Sequence, residues 1–174
     1  MALRQILTEP NSILRQKSLK VEKVDKDIQK LMDDMLETMY AAPGIGLAAI
    51  QIGVAKRVIV LDISKKEEIK NPMFFINPEI TEKSENNSTY EEGCLSVPGQ
   101  FAEINRPEKC HVKYLDYYGQ PKEMKAEGML ATCIQHEMDH LEGILFIDYL
   151  SKLKKSMIVK KLSKQKKELE RIVV

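Results

Sequence analysis

The chain has 174 residues and a mass of 19.9 kDa, enough for one domain whose core needs no disulfide staples. Hydrophobic residues at 43% and charged residues at 30% exclude a disordered chain, and three cysteines exclude a disulfide-rich scaffold. The net charge of +1 conceals a split: residues 151–174 carry nine Lys/Arg against two Glu, while residues 1–150 carry 18 Lys/Arg against 24 acidic residues, so a polyanionic partner is expected for the basic tail.

Residues 1–24 read as an irregular arm turning at Pro10. The opening MALRQILTEP has no long apolar stretch, and the longest apolar runs, 46–50 and 58–61, fall far short of the roughly 20 residues of a membrane helix. A cytoplasmic location is expected. Asp25 is a helix N-cap. After it Ile28, Leu31, Met32, Met35, Leu36, Met39 and Tyr40 recur at helical spacing, up to a stop before Pro43-Gly44. The methionines of that stripe are core fillers.

The segment 44–51, GIGLAAIQ, is small-sided and reads by itself as a tight helix-to-strand connection. Its glycine spacing does not fit a phosphate-binding loop. Residues 57–64 (RVIVLDIS) predict a strand with a buried face, and 73–80 (MFFINPEI) another, with Pro78 at an edge or a bulge. Residues 82–89 are polar and predict an exposed hairpin tip. Residues 109–117 and 122–126 flank a turn and predict a hairpin. A second helix is predicted over 128–142, ended by Gly143. It is apolar on more than one face and therefore central and buried. A third helix is predicted over 151–171, with Leu153, Met157, Ile158, Leu162, Leu169 and Ile172 as a thin stripe and lysines elsewhere. The class is α+β, with antiparallel sheets packed around the central helix and a helix near each end.

That central helix carries His136-Glu137-Met138-Asp139-His140, an HExxH pattern. Residues four apart share a helix face, so both imidazoles can reach one ion, and Glu137 can act as general base on a water there. Two imidazoles and a carboxylate on a buried helix are costly unless paired, which favours the metal reading. A catalytic site needs a third protein ligand. The metzincin position is occupied by Phe146, and the downstream Glu168 and Glu170 lie in the lysine-rich helix. His111 sits in a predicted strand, and Cys133 in an apolar stretch suited to packing. Cys94, between glycines in EEGCLSVPG (91–99), is the leading candidate.

Together GIGLAAIQ (44–51), EGCLS (92–96) and QHEMDHLEG (135–143) resemble the three motifs of the peptide deformylases, in the family's order. The likeness runs along the whole chain. It implies hydrolysis of the formyl group from the N-terminal formylmethionine of nascent polypeptides, with release of formate. It implies one divalent metal held by Cys94, His136 and His140, Fe²⁺ physiologically and replaceable by Zn²⁺, Ni²⁺ or Co²⁺. Glu137 maps to the base, and the Gln51 side-chain amide and Leu95 backbone N–H to the oxyanion donors.

An apolar slot for the methionine side chain is expected from Ile45, Met129 and Cys133, with Tyr90. The peptide backbone is expected to add as a strand beside Gly46 and Gly99. Phe101 stands where some relatives carry a basic residue near the bound peptide. Glu92 and Arg106 are expected to pair and brace the Cys94 loop. Residues 1–150 then form a single catalytic metallohydrolase domain, and 151–174 a basic helix belonging to it. By resemblance that helix docks at the ribosome, against the reading of a merely solvated lysine face. No membrane and no sequence-specific nucleic acid is expected as partner.

Two rivals stand beside this reading. Another HExxH amidase or peptidase is disfavoured by the missing downstream ligand and by the Cys94 segment. A non-catalytic, metal-stabilised ribosome-binding module would have no need of Glu137 or Gln51, and both are present.

Overall fold

The computed structural model describes residues 2–172. Helix α1 (Lys26–Ala41) starts where Asp25 accepts a hydrogen bond from the Ile28 N–H at 3.0 Å, and it buries Ile28, Leu31, Met32, Met35 and Met39. Strands β1 (Gly46–Ala48), β2 (Val58–Leu61), β3 (Met73–Lys83), β6 (Lys109–Leu115) and β7 (Pro121–Glu127) form an antiparallel sheet in the order β1-β2-β3-β6-β7. Strands β4 (Asn87–Cys94) and β5 (Val97–Pro107) form a second, two-stranded sheet. Helix α2 (Gly128–Leu141) lies between them and touches β1, β2, β4, β5, β6 and β7. The expected α+β class is observed, and this helix contacts strands of both sheets.

Strand β2 explains why the sheet needs helices on both sides. All four of its residues are buried. Val58 and Val60 pack with Met32, Met35 and Met39 of α1, whereas Ile59 and Leu61 pack with Ala131 and Ile134 of α2. A strand covered on both faces reads as a continuous apolar run, as VIVL does. Burying four such side chains stabilises the fold by roughly 1.5–3 kcal/mol each.

Three expectations need correction. The segment 82–89 is not a hairpin tip. The bend at 84–86 is exposed, but β3 pairs with β6 as far as Lys83↔Cys110, and β4 pairs with β5 from Asn87↔Pro107. The bend instead bonds the β5–β6 corner, through Ser84 N–H to the Lys109 carbonyl and Glu108 N–H to the Asn86 carbonyl. Both chains change sheet together, so the turn signal marks a corner. Second, the connection 44–51 contains strand β1 and a 3₁₀ turn (Ala49–Ile52). Third, helix α3 (Lys152–Ile172) seats only part of its apolar stripe. Leu162 is buried, with Ile158 and Val159 beside it, against Val97, Ile104 and Phe146, while Leu153, Met157, Leu169 and Ile172 are exposed. Leu153 and Met157 come before Leu162 and stand on the side of the helix turned away from it, whereas Leu169 and Ile172 lie in the last turns, beyond the packed residues.

Strand β3 is not an edge strand, so Pro78 sits at the other expected place. The β3–β6 register shifts between Ile76 and Glu79, and Asn77 takes φ +50°. Its side chain accepts from the Val21 N–H at 2.8 Å and donates to the Val21 carbonyl at 2.7 Å, which anchors the N-terminal arm. The arm is held elsewhere too. Leu7 and Glu9 donate to the carbonyls of Gln51 and Ser96 at 2.7 and 2.8 Å, and Arg15 forms ion pairs with Glu9 and Asp148. Gly143, at φ +74°, ends α2 where any side chain would strike the Arg15 carbonyl.

Candidate active site

The site forms where the two sheets meet α2. Helical geometry puts His136 and His140 on one face, with ring centroids 5.1 Å apart. Cys94 arrives from the end of β4, where the register slips between Gly93 and Cys94. Its Sγ lies 3.4 Å from His140 Nε2. The ligating atoms of Cys94, His136 and His140 all lie within 4.8 Å of one another, and no other such His/Cys/Asp/Glu group occurs among the described residues. One sulfur and two imidazoles suit zinc or a late first-row divalent ion. Burial would lower the basicity of His136, but contacts with Cys94 and Glu92 raise it well above the ordinary imidazole range. His140 is pushed well below that range by burial and by the neighbouring His136 and Arg106.

His136 is oriented by a partner, whereas the buried Nδ1 of His140 has no hydrogen-bond partner among the described residues. His136 Nδ1 faces Glu92 Oε1 at 2.8 Å, so its Nε2 is left for an ion. Burial alone would raise the Glu92 carboxyl, but its bonds to His136 and Arg106 hold it below the usual range. The expected Glu92–Arg106 pair is present, with Arg106 Nε and Nη2 donating at 2.7 and 2.9 Å. Its contact on a histidine has no signal in the sequence.

Glu137 is buried, and its Oε2 has no hydrogen-bond partner among the described residues. Burial raises its carboxyl to about 7, opposed by His136 and aided by Glu92. That places it where a carboxylate can both take and return a proton near neutral pH. It fits against β1 only because residue 46 is glycine. A Cβ there would lie 2.6 Å from Glu137 Oε1. Gln51 is buried in the 3₁₀ turn. Its Oε1 accepts from the Ala48 N–H at 2.9 Å, which turns Nε2 towards Ser96 Oγ at 3.0 Å and Cys94 Sγ at 3.5 Å. Ser96 has no signal in the sequence beyond its place in the motif.

These groups open onto a cleft of ≈ 650 Å³. Its walls include Ile45, Gly46, Gln51, Tyr90, Cys94, Leu95, Gly99, Met129, Cys133, His136 and Glu137, so all but one of the predicted site residues reach it. His140 lies fully buried behind. Burial pushes the Cys133 thiol up to about 12, so it stays a neutral wall of the cleft. Ile45, Phe101 and Met129 expose apolar side chains at the cleft. His111 stands elsewhere, on β6 beside Glu123, and Glu168 and Glu170 are exposed on α3.

Comparison with known proteins gives one consistent result. The family described as polypeptide deformylase matches residues 3–156. The chain is 67% identical to a peptide deformylase of Pelagibacter ubique (strain HTCC1062) over 174 residues, all of both chains. It is 58% identical to one of Phenylobacterium zucineum (strain HLK1), covering 96% of this chain and 99% of the relative. The crystal structure of the Ehrlichia chaffeensis peptide deformylase in complex with actinonin superposes with a TM-score of 0.91 at 46% identity, over 95% of this chain and 98% of the other.

Proposed function

The chain belongs to the polypeptide deformylase family of hydrolases, and on that premise we propose that it removes the formyl group from the N-terminal formylmethionine of nascent polypeptides, releasing formate. The observation that carries this reading is the convergence of Cys94, His136 and Glu137 at the wall of one apolar cleft, with His140 buried directly behind them. Cys94, His136 and His140 hold a single divalent ion, Fe²⁺ physiologically, with Zn²⁺, Ni²⁺ or Co²⁺ able to take its place. Such an ion supplies Lewis-acid activation of the water and of the formyl carbonyl.

The chain's own residues do the rest. Glu137 takes a proton from the attacking water as the new C–O bond forms. Gln51 Nε2 and the Leu95 N–H donate to the tetrahedral oxyanion. Glu137 returns the proton to the amine nitrogen as the C–N bond breaks, leaving formate and a free N-terminus. The Ala48 bond to Gln51 Oε1 holds the amide with its donor facing the reaction, so little reorganisation is needed. Ile45, Met129, Cys133 and Tyr90 receive the methionine side chain. Gly46 and Gly99 pair with the peptide backbone as an added strand. Crowding around the formyl position rejects larger acyl groups by shape.

The test is formate release from a formyl-Met-Ala-Ser peptide. Anaerobically purified protein is loaded in turn with Fe²⁺, Ni²⁺ and Zn²⁺, with Glu137→Ala as control. Release that vanishes in the variant, with none from the acetylated peptide, is expected. Absence of release with every metal, at one ion bound per chain, refutes the activity.

Helix α3 supports a second part of the reading: docking on ribosomal RNA in the cytoplasm. Lys160, Lys164 and Lys167 are exposed on it. Lys-to-Glu reversal at all three is expected to leave peptide turnover unchanged, weaken ribosome binding and flatten its salt dependence. Unchanged binding would leave α3 a solvated helix.

A further inference from the structure

A hydrogen-bonded chain runs outward from His136, away from the cleft. Glu92 meets His136 Nδ1 at 2.8 Å and takes two bonds from Arg106. The guanidinium then donates through Nη1 to Asp139 Oδ2 at 2.8 Å. Tyr149 Oη donates to that same oxygen at 2.7 Å, and the Tyr149 ring lies 5.0 Å from the guanidinium carbon. Glu92 and Arg106 are buried, whereas Tyr149 is 52% exposed. The chain thus begins at a candidate metal ligand and ends at the surface.

The geometry gives each link a mechanical role. A carboxylate on the second nitrogen of a ligating histidine fixes its tautomer and ring plane. A carboxylate alone can rotate, but a two-point guanidinium bond fixes its plane in turn. Asp139 lies on α2 one turn after His136, so Arg106 returns to the helix that bears the ligand. Asp139 is partly open to water and is held on its outer side by the Tyr149 hydroxyl. The same 3₁₀ segment (Phe146–Tyr149) brings the Phe146 ring against His136, with centroids 6.3 Å apart and planes 25° apart. One short segment therefore contacts the ligand from two sides: through the ring of Phe146 and through the network that Tyr149 closes.

We propose that Tyr149 is a positioning residue for the metal: it holds Asp139 on Arg106, so that Glu92 keeps the His136 ring in its ligating plane. This rests on the ligand set proposed above. Tyr149→Phe retains the ring over the guanidinium and removes only the hydroxyl. In the Co²⁺-loaded protein it is expected to speed loss of the ion to a chelator by about three- to tenfold, below the range for direct partners of a ligand, because Arg106 and Asp139 stand between Tyr149 and the direct partner Glu92. The ligand-field absorption should shift, while the melting temperature of the metal-free protein stays that of the parent. Asp139→Asn should act in the same direction. In a Glu92→Gln background, Tyr149→Phe should add nothing. Co²⁺ loss at the parent rate in both outer variants overturns the proposal, as does an effect that persists in the Glu92→Gln background. A parent protein that binds no Co²⁺ overturns the ligand set, and the proposal with it.

Discussion

Replacing Gly46 by alanine puts a methyl group between the Glu137 carboxylate and the core. It would lie 2.6 Å from Glu137 Oε1 and 2.8 Å from Leu61 Cδ2. Both distances are below van der Waals contact, so something must move. Leu61 is fully buried between β2 and α2 and has little room. The Glu137 carboxylate is the end of a flexible side chain and gives way first. Stability should therefore fall by only about 1–3 kcal/mol, the usual range for overpacking. Turnover should fall much further, because a shift of about 1 Å in a positioned group costs on the order of 10²-fold. Formate release under saturating peptide measures the second effect, and thermal unfolding the first. The shorter side chain of Glu137→Asp supplies an internal control. In that background Gly46→Ala should cost little additional activity, since the colliding atoms have withdrawn. Turnover within about twofold of the parent for Gly46→Ala alone would refute the argument that Gly46 seats the base.

Two further predictions concern the scaffold. Asp62 is buried and accepts bonds from Tyr40 Oη, Ser64 N–H and Oγ, and Asn71 N–H; burial raises its carboxyl, but these bonds outweigh burial and hold it below the usual range. A carboxyl lowered on folding contributes stability that is complete above its unfolded value, about 4, and is lost as pH falls through the folded value. Asp62→Asn should therefore destabilise by about 2 kcal/mol at pH 7, and the gap from the parent should close in acid melts; a pH-independent gap would show that the charge is not the cause. Arg15 forms ion pairs with Glu9 at 2.7 Å and Asp148 at 2.6 Å from one guanidinium. Arg15→Ala strands the buried Glu9 and should cost about 1–3 kcal/mol, or about 2–4 °C per kcal/mol in melting temperature; an unchanged melt would mean that the backbone bonds alone hold the arm.

Local geometry is legible in the chain itself. The Asp25 cap and the apolar stripe that follows place α1, because each depends on residues three or four apart. The pairing of His136 with His140 is legible for the same reason. The strands are legible only as segments. Nothing in the polar run 82–89 shows that β3 turns to β6 and β4 to β5, since sheet partners are chosen across long stretches of chain. The α3 stripe promises more burial than the fold delivers, because its apolar residues do not share one face: Leu153 and Met157 stand far around the helix from the packed Leu162.

Residue spacing along the chain is enough for the helices, the α+β class and the HExxH face, and three motifs in order are enough for the family. What stands beside each of those residues depends on how distant segments pack together. Their packing brings Cys94 to His140 across 46 positions, sets Glu92 on the far nitrogen of His136, and closes that network with Asp139 and Tyr149. A helix repeats its contacts every turn and so writes them into spacing. A contact between a strand end and a helix face has no period, and it exists only once the core has fixed where both elements lie.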